Sequence, residues 1–167
     1  MKITILPKKA KIQATASFEY LSPLGNIYLW GWQDSLISLS FKEKPFPKDL
    51  PSSSTLEKAA CQLEEYFSGD RREFHTSLLL QGTPFQIRVW RALLEIPYGK
   101  TCSYEEIAIQ IGKPRACRAV GNSNGKNPIP IIIPCHRVVE KSGKLGGYSS
   151  GLEIKEKLLL LERKGRL

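Results

Sequence analysis

The sequence predicts an α+β protein in two parts: a small antiparallel sheet with one helix over residues 1–82, and a mainly helical, helix-turn-helix-like part over residues 83–167. Three observations predict it. Residues 17–41 alternate and turn like short strands, residues 83–121 carry helix caps ahead of apolar residues at helical spacing, and the charge balance changes near Gln81-Gly82. Residues 1–83 hold ten Lys and Arg against nine Asp and Glu, whereas residues 84–167 hold fifteen against seven. Nearly all of the formal charge of +9 therefore lies in the second part, which points to a polyanion partner, nucleic acid first.

The elements follow in order. Residues 17–21 form one strand-like run, closed by Ser22-Pro23-Leu24-Gly25; residues 26–32 form a second, closed by Gln33-Asp34; residues 35–41 form a third. Together they read as an antiparallel meander. A Pro/Ser/Lys-rich loop is expected over residues 42–53. Ser54 with Glu57 reads as a capping box, opening a helix through Leu56, Ala59, Ala60, Leu63 and Phe67 that ends near Gly69. Cys61 is placed on its apolar side, in the core. Residues 71–80 return as a strand or a loop. Thr83 caps the next helix and Pro84 occupies its first turn, with Phe85, Ile87, Val89, Trp90, Leu93 and Leu94 giving the apolar spacing. Pro97-Tyr98-Gly99 breaks it. Ser103 and Glu106 box a further helix that Gly112 ends, and Lys113-Pro114 starts the next, which runs to about Gly121. Two short helices joined by a tight Gly-containing turn have helix-turn-helix spacing. On the second, Arg115 and Arg118 are three residues apart and share a face, while Ala116, Cys117 and Ala119 are small enough for a close approach.

Composition narrows the class. No apolar run approaches the roughly 20 residues of a membrane helix. The N-terminal stretch has no apolar segment long enough for a signal peptide, so the expected location is the cytoplasm, or the nucleus in a eukaryote. The four cysteines, Cys61, Cys102, Cys117 and Cys135, form no CxxC pair, which argues against a zinc cluster or a disulfide framework and leaves each thiol a candidate nucleophile. Residues 124–139 decide among them. Pro128, Pro130 and Pro134 stiffen the chain, the isoleucines bury it, and the expected result is a buried strand that delivers Cys135 and His136 to a fixed place. A thiol beside an imidazole is a recurring way to make a thiolate. Adjacent residues on an extended chain point to opposite faces, so direct contact between the two is not implied.

The run Ile133-Pro134-Cys135-His136-Arg137-Val138 resembles the active-site signature of the O6-alkylguanine-DNA alkyltransferases. Residues 115–121, Asn127-Pro128, Gly147-Tyr148-Ser149 and the terminal helix to Glu162 fall at the same family's spacing, so the resemblance is dense from about Thr83 to Gly165. It implies a ribonuclease H-like first domain and a winged-helix, helix-turn-helix-like second. It implies that Cys135 accepts the alkyl group irreversibly, once per chain, after the damaged nucleotide has flipped out of double-stranded DNA. His136 would be the base, acting through a water and oriented by Glu162; Tyr104 would protonate the leaving guanine; Arg118 would fill the vacated stack. Arg115, Ala119 and Asn127 complete the DNA-facing set, with Asn127 bracing the turn before the active-site segment. Val138, Tyr148, Ser149 and Ser150 would line the base pocket. No cofactor, no metal and no membrane are implied, and the protein is expected to be a monomer. O4-alkylthymine activity stays open. There are departures: Ser150 replaces a frequent glycine, Lys157 a common aromatic and Leu161 a frequent histidine, and no cysteine precedes Cys61 to build the zinc site that some relatives carry. A non-catalytic lesion binder, a helix-turn-helix regulator and a thiol hydrolase are the competing readings.

Overall fold

The computed structural model describes residues 1–42, 47 and 50–165. Half of the expected 42–53 loop lies among these; residues 43–46, 48 and 49 fall outside the described residues. The chain forms two compact units, Met1–Gln81 and Gly82–Gly165.

In the first unit the meander is present as β2 (Ala16–Ser22), β3 (Gly25–Trp32) and β4 (Ser35–Ser40), paired antiparallel. The sheet is larger than the meander and is not purely antiparallel. β1 (Ile3–Pro7) and β5 (Leu78–Gly82) extend it to five strands in the order β1-β5-β4-β3-β2, and β5 runs parallel to β4 with Leu36 opposite Leu78. The reason is α1 (Ser54–Phe67), which lies between β4 and β5 in sequence. A helical crossover brings the chain back to the edge it left, and the returning strand must then be parallel. The core beneath contains Ile27, Leu29, Leu36, Leu39, Leu56, Leu63, Leu78 and Leu80.

Two local expectations about α1 are corrected. Its cap is Ser53, whose hydroxyl accepts from the Leu56 amide at 3.4 Å, not Ser54, which is already the first helical residue. Three consecutive serines offer the same hydroxyl chemistry, so the sequence pattern alone could not separate them. Cys61 is exposed, not core. It lies two residues from both Ala59 and Leu63, about 200° around the helix from the buried face.

In the second unit, Thr83 and Gln86 form the capping box of α2 (Pro84–Leu94), and Ser103 and Glu106 form that of α3 (Tyr104–Gln110). Gly112 takes the left-handed conformation, φ 70°, just past α3. α4 (Cys117–Gly125) begins three residues later than expected, because residues 113–116 close a tight turn in which the Ala116 amide donates to the Lys113 carbonyl. Arg115 therefore sits in that turn and Arg118 on the helix; both are exposed, but they do not share a helical face. Two short strands, β6 (Cys102–Ser103) and β7 (Val138–Val139), pair in parallel, and α5 (Leu152–Lys164) closes the unit with Gly165 as its left-handed cap. Among the described residues no helix is long and apolar enough to cross a membrane.

Candidate active site

Residues 129–134 are buried, and the 127–134 segment is not a strand. Three prolines remove three amide donors, so the segment cannot sustain a ladder. Asparagine side chains replace the missing pairing. Asn127 donates from Nδ2 to the Ile133 carbonyl at 2.7 Å and accepts the Ile129 amide on Oδ1 at 3.0 Å, so one side chain clamps both ends of the isoleucine run. Asn124, at the end of α4, donates to the Cys135 carbonyl at 3.2 Å. Ile131 is held at φ 72° while 1% exposed, a conformation β-branched residues rarely adopt. The surrounding contacts over-determine this loop. It ends in a 3-10 turn, Cys135–Arg137, rather than in the expected extended chain.

All three residues of that turn are buried, as is Val138 beyond it. The Cys135 thiol is pushed up to about 11 by burial, against the opposing influence of the Asn127 and Tyr148 side chains and the Lys155 charge. His136 is wholly buried, and its hydrogen bond goes to Glu162 (Nε2 to Oε1, 2.7 Å), not to the thiol. Glu162, on α5, is the hub. It also accepts from Arg137 Nε at 2.9 Å, from the second Arg137 nitrogen at 3.0 Å and from the Gly99 amide at 3.0 Å. Burial works against its ionisation, yet the His136 and Arg137 contacts outweigh that and hold the carboxyl down at about 2. An ionised carboxylate can only accept, so His136 Nε2 carries the proton. Burial lowers the imidazole pKa, which keeps the ring neutral at pH 7. Nδ1 is left with its lone pair and no hydrogen-bond partner among the described residues. The buried imidazole is thus a base with one nitrogen fixed and the other unused.

Beside the turn lies a cleft of ≈ 590 Å³ lined by Tyr104, Cys117, Arg118, Glu140, Tyr148, Ser149 and four glycines. Tyr104 opens α3 and packs on Gly121 and Gly146; a Cβ at Gly146 would stand 2.9 Å from the Tyr104 hydroxyl, so only glycine fits. Burial raises the Tyr104 pKa, and the Glu140 and Cys135 charges add to it, so its hydroxyl remains a donor. The Tyr148 hydroxyl is buried without a hydrogen bond of good geometry and has the Cys135 thiol as a close neighbour.

The structure thus brings Cys135, His136, Glu162 and Val138 together in the interior, and Tyr104, Arg118, Tyr148 and Ser149 around the cleft. Arg115 and Ala119 are exposed and Ser150 is half-buried, and none of the three lines the cleft; Asn127 braces the loop from within. Four neighbours were missed by sequence reasoning: Asn124, Arg137, Glu140 and Lys155. Arg137 donates to the Ile96 carbonyl at 2.6 Å and lies 5.8 Å over the Tyr98 ring. Lys155 had a legible signal, being seven residues before Glu162 and on the helical stripe of Leu158 and Leu159. Among the described residues no three His, Cys, Asp or Glu side chains converge as a metal site.

Comparison with known proteins places these features in context. Residues 84–164 match the 6-O-methylguanine DNA methyltransferase DNA-binding domain, and residues 19–80 match the ribonuclease-like domain of the same family. The methylated-DNA–protein-cysteine methyltransferase of Methanosarcina barkeri is 53% identical over 146 residues, covering 84% of this chain and 92% of that protein. The protein of the same name from Mycobacterium bovis is 49% identical, covering 85% and 88%. The crystal structure of Mycobacterium tuberculosis OGT in complex with DNA superposes with a TM-score of 0.81 at 47% identity, covering 89% of this chain and 92% of that one.

Proposed function

Since the chain belongs to the 6-O-methylguanine DNA methyltransferase family, we propose that it repairs double-stranded DNA by moving the alkyl group of O6-alkylguanine onto Cys135. Methyl transfer from methylated DNA to a protein cysteine is the activity that its relatives' name gives. Cys135 is taken as the acceptor because it is the cysteine of the buried turn, adjacent in sequence to a neutral base and a close neighbour of Tyr148, which lines the cleft. The observation that carries the reading is the pair formed by the unpartnered His136 Nδ1 and the Glu162 carboxylate that fixes the opposite nitrogen.

The steps follow from that geometry. The alkyl carbon is inaccessible in a stacked base, so the nucleotide is extruded into the cleft, at a cost of a few kcal/mol that a poorly paired lesion reduces. Arg118, exposed on α4 at the cleft, fills the vacated stack. His136 Nδ1 takes the Cys135 proton through a bridging water, and Glu162 stabilises the imidazolium that results. The Sγ–C bond forms as the C–O6 bond breaks, and the electron pair leaves with the guanine. Tyr104 donates its proton to that developing anion, and guanine is restored. Positioned acid catalysis of this kind is worth about 10²–10⁴-fold. Tyr148 and Ser149, which line the cleft together with Tyr104, hold the extruded base. The thioether is inert, so each chain acts once, as a monomer and without a cofactor. The location follows from the substrate: cytoplasm, or nucleus in a eukaryote.

Intact-mass measurement after mixing with a duplex containing O6-methylguanine tests the reading. A gain of one methyl per chain, absent in Cys135→Ala, is expected. Tight lesion binding with no gain in mass would overturn it in favour of a lesion binder, and no lesion preference would remove both.

A further inference from the structure

Lys155 is a lysine with no exposed surface, on the buried face of α5 that also carries Leu158, Leu159, Leu161 and Glu162. Long cations are almost never fully buried without a carboxylate partner. Among the described residues no carboxylate lies within ion-pair distance of it. Its ammonium instead donates to two backbone carbonyls, that of Val138 at 2.6 Å and that of Leu145. The first belongs to β7, which continues directly from the Cys135 turn. The second belongs to the loop of residues 140–151, which carries Tyr148 and Ser149 into the cleft.

Elsewhere the loop is held by the exposed Lys141–Glu105 ion pair to α3 at 2.7 Å and by the contact of Gly146 with Tyr104. Its first part closes on itself, with the Glu140 amide donating to Lys144 and the Gly143 amide to Glu140; its end closes from Gly151 to Tyr148. Between these turns lie Leu145, Gly146 and Gly147, and the two glycines give this stretch more backbone freedom than any other residue pair could. The Lys155 bond ties the stretch to a packed helix. The charge also has a second use. The groups that face it are Cys135 from the turn and Glu140 from the loop, and its own charge acts weakly on His136. A buried cation close to Cys135 favours the thiolate at the moment it forms.

We propose that Lys155 is a positioning residue for alkyl transfer: its buried ammonium straps the pocket loop to the active-site turn and serves as counter-charge to the Cys135 thiolate. This rests on the function proposed above. Burial brings the lysine down to about 8, with the Cys135 and Glu140 charges opposing, so the strap loses its charge in a range that experiment can reach. The stability consequence has the opposite sign. From pH 8 toward the unfolded value of 10.5 the folded chain has lost a proton that the unfolded chain keeps, so this group makes the fold more stable as pH rises. Cys135 works against that from pH 9 upward, because its folded pKa lies above its unfolded one. Between pH 8 and 9, then, transfer should slow while the fold does not weaken.

The test measures single-turnover methyl transfer from an O6-methylguanine duplex across pH 6.5–9.5, with hydrogen exchange of the loop, in the wild type and in Lys155→Met. The wild-type rate should fall about tenfold between pH 7 and pH 9, most of it above pH 8, following the charged fraction of a group that titrates near 8. Lys155→Met should be slower at pH 7 by about 100-fold, the scale of losing one preorganised electrostatic contact, and should show no alkaline fall. Its residues 145–150 should exchange faster than those of the wild type. A mutant with wild-type rate and wild-type loop protection, or one that keeps the alkaline fall, overturns the proposal. Should Lys155→Met not fold, the wild type decides: after correction for intrinsic rates, loop exchange at pH 9 must exceed that at pH 7, and equal exchange overturns it. The exchange arms need no chemistry, so a wild type that transfers no methyl would sink the functional reading and still leave the strap tested.

Discussion

The two units bury different things. In the first, the buried polar residues among those described are Ser22, Ser38 and Thr76, and the rest of the interior is aliphatic and aromatic. In the second, the interior holds Asn124, Asn127, His136, Arg137, Lys155 and Glu162. Every ionisable side chain of the buried polar set therefore sits in one half of the molecule, and all of them lie within the segment 124–162. Apolar packing gains from each added contact and tolerates repacking. A buried polar network does not: satisfied, it fixes one arrangement, and half satisfied it is worse than an oily core. The first unit is built for stability, and the second gives up some of that to hold charges where a reaction needs them.

Substitutions can break that contrast. The largest effect is expected from Glu162→Ala. It strands Arg137 and unfixes His136, so urea unfolding should show a loss of about 3–5 kcal/mol. Methyl transfer should fall by more than about 100-fold, the value of a positioned base. A small stability change would mean that the network is ornamental. Leu63→Ala is the mirror experiment, since Leu63 is fully buried in the first unit. It should cost about 2–5 kcal/mol and leave the transfer rate of the folded fraction unchanged. An equal fall in rate would erase the division of labour.

Asn127→Ala comes next. It leaves the Ile129 amide and the Ile133 carbonyl buried without their partner, for about 1–3 kcal/mol, and should slow transfer by loosening the turn. Acid acts on the second unit in the same direction. His136 has a folded pKa below its ordinary 6.5, so below that pH the unfolded chain takes up a proton that the folded chain refuses, and stability falls. Glu162, down at about 2, adds a second loss as pH drops below 4.5. Denaturant melts from pH 7 to pH 4 should show both, and a flat profile would contradict the buried neutral imidazole. Ser53→Ala should be the mildest, at most about 1 kcal/mol through the lost cap, with transfer untouched.

What was legible in the sequence was local. The Thr83–Gln86 and Ser103–Glu106 boxes were readable because cap and partner are three residues apart and the chemistry is closed within one turn. The β4–β5 pairing was not, since it joins Leu36 to Leu78 and only the crossover helix reveals that they run parallel. The turn at Cys135 was expected as a strand because proline and isoleucine favour extended backbone. The prolines that straighten a chain also remove the donors a strand needs, and side-chain amides took over. Arg137 was passed over because a single charged residue reads as surface and its burial becomes visible only once its carbonyl and carboxylate partners are placed; Lys155 was passed over although its place on the apolar stripe of α5 was legible. The signature around Cys135 identified the site where chemistry-bearing residues crowd together, but the signature says nothing of Asn124 or of the tie to Leu145.

The resting thiol bears on how long an unused molecule keeps. On the function proposed above the molecule is spent once and has to survive until its lesion arrives, and thiols in cells are lost mainly as thiolates, to peroxides and to mixed disulfides. Cys135 is 1% exposed and held up at about 11, so at rest it is neither ionised nor reachable. Cys61 is exposed, and Cys102 and Cys117 are partly so. Mild oxidants and iodoacetamide will therefore mark those three first, and a count of freely reacting thiols will report on the molecule's history of exposure without touching its remaining capacity.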